Sequence, residues 1–327
     1  MAQPMSEAGY YLDSFLAPLA PWVSRADVTD IWINRPGEVW VEALGGGIER
    51  HDDPTLTEDL LRRLARQVAA FGSQGISRQQ PLLAASLPDG SRVQVVAPPA
   101  TRGGHVIAIR RHVASDLSLA DWEDEQAFEG LAPGATSLEA EPKWRSLGER
   151  EAADALREAV TSRRNIIVAG GTSTGKTTFL NALLAEIPSH ERLILIEDTE
   201  ELRLKHANAV GLIAARGSLS EAQVSAEDLL IAALRMRPDR IILGELRGQE
   251  AFTFLRAVNT GHPGSMTTIH ADTPQRAIEQ LALLVLQAGS RLARDDVREY
   301  VRHSIDVFVQ LERRQGRRRV SQVLVRQ

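Results

Sequence analysis

Nine consecutive residues constrain this chain more than any others: Gly170, Gly171, Thr172, Ser173, Thr174, Gly175, Lys176, Thr177 and Thr178. They satisfy the spacing G-x-x-x-x-G-K-[ST], and the composition on either side predicts a strand over 165–169 and a helix over 176–184. The glycines let backbone N–H groups wrap an anionic phosphate with no Cβ in the way. In such a loop the lysine reaches the β- and γ-phosphates, the following hydroxyl ligates Mg²⁺, and the helix turns its positive end toward the same anion. The nine residues are therefore expected to bind ATP, with Lys176 on the phosphates and Thr177 on Mg²⁺.

Downstream, strands predicted over 165–169, 192–197, 240–243 and 265–269 alternate with helices. Those helices are predicted over 147–162, 226–236 and 249–259, with a fourth starting at Thr273-Pro274 and stopping at Gly289. Such alternation predicts an α/β domain with a mostly parallel sheet and its ligand at the carboxyl ends of the strands. The residues that follow each strand then gather around the phosphate loop: Glu197, Asp198, Glu200 and Glu201 after the second, Glu245 after the third, His270 after the fourth. Carboxylates there can hold Mg²⁺ through water and orient or deprotonate an attacking water, and a histidine can sense the γ-phosphate. Glu201 is read as ordinary strand-end polarity. Glu245 stands one position later, and is one methylene longer, than the aspartate that ordinarily ends such a strand, and it is expected to act on the water and to meet Mg²⁺ through water. His262 and His270, eight residues apart, match no zinc-binding spacing.

The first part of the chain reads differently. Tyr11, Leu12, Phe15, Leu16 and Leu19 have helical spacing cut by Pro18 and Pro21, and a hairpin is predicted over 30–34 and 38–44. A helix over 57–71, with Thr55 and Glu58 as its capping box, and strands over 82–87, 92–97 and 105–111 complete an α+β unit. The expected division is an α+β domain over 1–115, an acidic linker over 116–146 and the phosphate-loop domain over 147–327. Residues 1–147 carry 13 Lys and Arg against 20 Asp and Glu, which argues against a nucleic-acid grip in that half. The chain has no cysteine, so disulfides, thiolate zinc sites and cysteine nucleophiles are excluded. No secretory signal and no apolar run approaching 18 residues is present, from which a cytoplasmic location is expected. The basic cluster Arg313, Arg314, Arg317, Arg318 and Arg319 is read as a solvated hairpin.

Taken together, these motifs resemble the secretion (traffic) ATPase superfamily. The resemblance rests on the phosphate loop, the acidic box 196–200, Arg237-Pro238-Asp239 before Leu243-Gly244-Glu245-Leu246-Arg247, and the histidine segment ending in His270-Ala271. In the first domain it rests on Asp30-Ile31, Asn34, the segment 87–92, Pro98-Pro99 and Ile109-Arg110-Arg111. The chain is most similar to the type IV secretion and conjugal-transfer branch. Type II secretion and pilus-assembly members usually carry a four-cysteine zinc module absent here, and 286–292 is a poor match to the pilus-retraction segment. The resemblance implies a PAS-like N-terminal domain on a RecA-like domain, nucleotide bound between them, a homohexamer, and peripheral association with the bacterial inner membrane beside secretion-channel and coupling-ATPase components. By position it implies Glu197 and Asp198 as the acidic box, Glu245 as the catalytic acid, His262 and His270 as the histidine box, and Arg110 or Arg111 as a first-domain arginine at the nucleotide. Arg247 or Arg235 is left open as an arginine acting across a subunit boundary.

Overall fold

The computed structural model describes residues 16–44, 47–111, 142–215, 222–314 and 317–327. The predicted helical segment around Tyr11 and Phe15 and nearly all of the acidic linker, with Asp121, Glu123, Asp124, Glu125, Glu129, Glu139 and Glu141, lie outside these residues.

The first domain begins with the helical turn α1 (Ala20–Val23) and strands β1 (Val28–Ile33), β2 (Glu38–Ala43) and β3 (Ile48–Asp52). Helix α2 (Glu58–Phe71) and strands β4 (Leu82–Ser86), β5 (Arg92–Val96) and β6 (Val106–Arg110) follow. The six strands form an antiparallel sheet in the order β3-β2-β1-β6-β5-β4. Leu61, Leu64, Ala65, Val68 and Ala69 form the buried stripe of α2 and share a core with Ile31, Ile33, Val93 and Val95. Thr57 caps α2, accepting from the Leu60 N–H at 3.2 Å, instead of the expected Thr55. Thr55 bonds the Asp53 carboxylate at 2.5 Å, and Glu58, as the first helical residue, turns to the backbone N–H and ring of His105.

The second domain contains β7 (Trp144–Ser146), α3 (Glu149–Thr161), β8 (Ile166–Gly170), α4 (Lys176–Leu184), β9 (Leu193–Glu197) and β10 (Ala209–Ile213). It continues through α5 (Ala226–Leu234), β11 (Arg240–Leu243), α6 (Glu250–Asn259), β12 (Met266–Ile269), α7 (Pro274–Gln287), α8 (Arg294–Ser304), β13 (Val307–Arg314) and β14 (Arg317–Arg326). The sheet order is β10-β9-β11-β12-β8-β13-β14-β7. The six strands from β10 to β13 are parallel, while β14 and β7 add an antiparallel edge. Burial on both faces explains why β8, β9 and β11 read as largely apolar runs in place of an alternation, and in β12 it takes in Thr267 and Thr268 as well. The three residues of β7, assigned to the linker by composition, pair with β14 at the sheet's edge.

The two sheets share one apolar cluster, in which Trp32, Val96, Ala100 and Val106 meet Ile194, Ile196, Val210 and Leu212. The seam has a polar tie at each end. At the start of β9, the fully buried Arg192 stacks its guanidinium 4.5 Å from the Trp32 ring centroid and donates to Asn34 at 2.8 Å and Asn208 at 2.6 Å. Arg237, on a left-handed backbone (φ 56°), bonds Glu42 at 2.7 Å. At the other end the segment after β5 runs beside β10: Thr101 bridges Leu212, the Arg102 N–H donates to the Gly211 carbonyl at 3.1 Å, and the Ile213 N–H to the Ala100 carbonyl at 3.0 Å.

Candidate active site

The loop between β8 and α4 stands at the carboxyl edge of the parallel sheet, and its tight path explains its glycines. A Cβ on Gly170 would lie 2.4 Å from Thr174 Oγ1 and 3.1 Å from the Leu311 carbonyl oxygen. Gly175 has φ +94°, the left-handed region that disfavours any side chain. Thr174 Oγ1 donates to the Gly171 carbonyl at 2.9 Å and holds the loop's curve. Lys176 opens α4 and is only 9% exposed. Its ammonium donates to the carbonyls of Gly170 at 3.1 Å and Gly171 at 3.2 Å. Burial lowers the Lys176 pKa from its ordinary value; the Glu245 charge pulls it up and Arg247 adds to the lowering.

A cleft of about 490 Å³ opens over the loop, lined by residues 172–178 together with Glu197, Asp198, Glu201, Glu245, Arg247, His270 and Arg318. The ends of β9, β11 and β12 thus converge on the loop after β8, as the parallel alternation predicts. His270 Nε2 is 2.7 Å from Glu245 Oε1, close enough for an ion pair although the angle falls outside hydrogen-bond geometry. His270 Nδ1 is 3.4 Å from Lys176 Nζ. His270 Nε2 lies 3.5 Å from the same ammonium, so the ring stands between Lys176 and the Glu245 carboxylate. Arg247 pairs with Glu245 and lies 3.7 Å from Asp198. Lys176, His270, Glu245, Arg247 and Asp198 therefore form a charged chain across the cleft.

Glu197 lines the cleft but its carboxylate is engaged elsewhere. One oxygen accepts from the N–H groups of Glu201 at 3.0 Å and Leu202 at 2.7 Å, and the other pairs with Arg102 from the first domain. The Glu197 side chain is 3% exposed and that of Arg102 10%. Such a tied, buried carboxylate is a fixed anchor, not a free base.

Three expected nucleotide residues stand away from this cleft. His262 precedes β12 at the opposite edge of the sheet, where Nδ1–H donates to the Pro238 carbonyl at 2.9 Å. Burial lowers its pKa, against the raising effect of that hydrogen bond. The nine residues from His262 to His270 include the whole of β12, so the two histidines fall beyond opposite ends of one strand. Arg111 donates to the carbonyls of Arg25 and Val28, the latter at 3.1 Å, and Arg110 is exposed on β6 opposite Asp30. Neither lines the cleft of its own chain. Arg235 is exposed just beyond α5. Sequence reasoning missed Arg102, whose flanking Thr101 and Gly103-Gly104 give no strand signal, and it assigned Arg318 to solvent on charge alone.

No group of three or more His, Cys, Asp or Glu poised around a metal occurs among the described residues. Mg²⁺ in nucleotide sites keeps several waters and binds through one or two protein ligands plus the phosphates of its nucleotide. Thr177 and Glu245 line the cleft where such ligands would be needed.

Comparison with known proteins agrees with this geometry. Residues 14–314 match the family described as Type II/IV secretion system protein. The chain is 43% identical over 329 residues to the type IV secretion system protein PtlH of Bordetella pertussis, a match covering 96% of this chain and 95% of that one. It is 37% identical over 324 residues to the type IV secretion system protein VirB11 of Bartonella henselae, covering 94% and 91%. The crystal structure of the VirB11 ATPase from the Brucella suis type IV secretion system, in complex with sulphate, matches at a TM-score of 0.86 and 36% identity over 97% of this chain and 95% of that chain. With an antiparallel-sheet domain, a mostly parallel phosphate-loop domain and this cleft, the chain belongs to the type II/IV secretion system protein family, among its type IV secretion ATPases.

Proposed function

We propose that this ATPase powers type IV secretion by hydrolysing Mg-ATP held on residues 170–178, with Glu245 orienting and deprotonating the attacking water. The observation that carries this reading is the convergence of Lys176, His270 and Glu245 from three different strand ends on one cleft. Lys176 would neutralise the β- and γ-phosphates, and Thr177 would ligate Mg²⁺ with Glu245 meeting it through water. Mg²⁺, when bound, supplies charge neutralisation of the transferred phosphoryl group. His270, between Lys176 and Glu245, would report the γ-phosphate to the catalytic acid. Asp198, through Arg247, would hold that acid in place, and Glu197 would fix the acidic box to the first domain. A phosphate arriving at Lys176 meets an ammonium held by two neutral backbone carbonyls, and a charged acceptor makes the stronger hydrogen bond.

We further propose a homohexamer that associates peripherally with the bacterial inner membrane and works with secretion-channel and coupling-ATPase components. This part rests on the family resemblance. No helix among the described residues is long and apolar enough to cross a membrane. We also propose the domain division 1–115, 116–146 and 147–327, supported by the two separate sheets, with its last boundary moved to take β7 (144–146) into the phosphate-loop domain.

Phosphate release by the unaltered chain beside Lys176→Ala tests the enzymatic reading. The expected loss is at least about 100-fold, since removing a residue that stabilises transition-state charge costs about 2.7–4 kcal/mol. Equal rates would leave a scaffold that binds nucleotide without turning it over.

A further inference from the structure

The basic segment near the C-terminus is not wholly a solvated surface. β13 lies beside β8, with Leu311 opposite Gly170, so the hairpin it forms with β14 projects past the start of the phosphate loop. Arg318, in register with Arg313, lines the cleft together with Lys176 and Thr177. Its Nη1 is 3.4 Å from Thr178 Oγ1, and its Cδ would be 2.8 Å from a Cβ on Gly175, so the stem lies against the loop. Among the described residues the guanidinium meets no carboxylate, and a long hydrogen bond to a neutral hydroxyl is its one polar contact.

Sheet order sets which end of a nucleotide this cation faces. β8 stands between β12 and β13. His270 and Glu245, at the ends of β12 and β11, lie on one flank of the loop, and Arg318 comes from β14 on the other. The γ-phosphate belongs on the flank that holds the catalytic acid. The opposite flank, beside Thr178, is then left for the α-phosphate and the nucleoside. On the reading of the cleft given above, we infer that Arg318 is a further nucleotide-binding residue, donating to the α-phosphate of ATP and of ADP from the same chain. It would keep its hold after the γ-phosphate has left, because the group it grips is common to substrate and product. The neighbouring Arg319 lines a different groove, between β14 and helices α3 and α4, and takes no part.

The test is calorimetric titration of the full chain with Mg-ADP and with Mg-bound β,γ-imido-ATP, comparing the unaltered protein with Arg318→Gln, Arg318→Lys and Arg319→Gln. Loss of one charge-assisted hydrogen bond should raise both Kd values by about tenfold in Arg318→Gln and by the same factor for each nucleotide. Arg318→Lys should recover part of the loss, and Arg319→Gln should bind as the unaltered chain does. An ADP Kd unchanged in Arg318→Gln would overturn the assignment, as would a loss confined to the triphosphate or an equal loss in Arg319→Gln. If the unaltered chain bound neither nucleotide, the reading of the whole cleft would fall with it. If it bound both and Arg318→Gln bound them equally well, that reading would stand and this one would not.

Discussion

Lys176 shows how much of this cleft's electrostatics is set before any nucleotide arrives. Its ammonium is almost fully buried and bonded to two backbone carbonyls, and burial depresses its pKa. A bound polyphosphate favours the charged form and raises that pKa again. The sign follows: at pH values between the depressed and the restored pKa, nucleotide binding should take up a fraction of a proton. Titration of ADP in two buffers of different ionisation enthalpy measures the uptake, and Lys176→Ala should abolish whatever share binding retains. At this scale Glu245 and His270 were legible, because strand order alone places residues after β11 and β12 beside the loop. His262, Arg110 and Arg111 were named by position in a motif, and position does not say toward which end of the strand a side chain is carried. His262 sits a full strand away from His270.

Among elements, the segment joining β5 to β6 is the least legible from sequence and among the most consequential. It forms no regular strand, yet it runs along β10 and delivers Arg102 to Glu197. Its partner β10 was missed as well, because 209–213 contains Gly211 and is short. That glycine is needed here: a Cβ would fall 2.4 Å from Arg102 Cδ. Removing the arginine leaves a buried carboxylate with two N–H donors and no countercharge. Arg102→Ala should therefore destabilise the protein by about 3–5 kcal/mol, and adding Glu197→Gln should recover at least about 1 kcal/mol of it. Urea unfolding of the two single variants and the double variant reads this coupling directly. By contrast β8, β9, β11 and β12 were legible to within a residue or so, since short runs of apolar and β-branched residues between helices have few alternative fates. The β13–β14 hairpin was legible as a hairpin, but its reach over the phosphate loop depends on β13 pairing with β8, which no local pattern reveals.

For the whole molecule, the seam between the sheets joins both edges of the nucleotide-binding sheet to the first domain. Arg192 and Arg237 hold the edge away from the cleft, and Arg102 holds the edge at the cleft. Burial pushes the Arg192 guanidinium down to about 9, with the charges of Asp239, Asp30 and Glu42 pulling the other way. The first-domain residues Asp30 and Asn34, which the sequence offered only as motif positions, are thereby explained: they belong to this seam. At the cleft end of the seam the Arg102–Glu197 ion pair joins the acidic box to the first domain. The central claim is that this cleft hydrolyses ATP with Glu245 as the acid acting on water. Its most direct test is steady-state phosphate release by Glu245→Gln, with ATP affinity measured on the same preparation. The account predicts ATP binding within a few-fold of the unaltered chain and turnover reduced at least about 100-fold, as loss of a general base costs about 10²–10⁴ in rate. Undiminished phosphate release with ATP bound would contradict it.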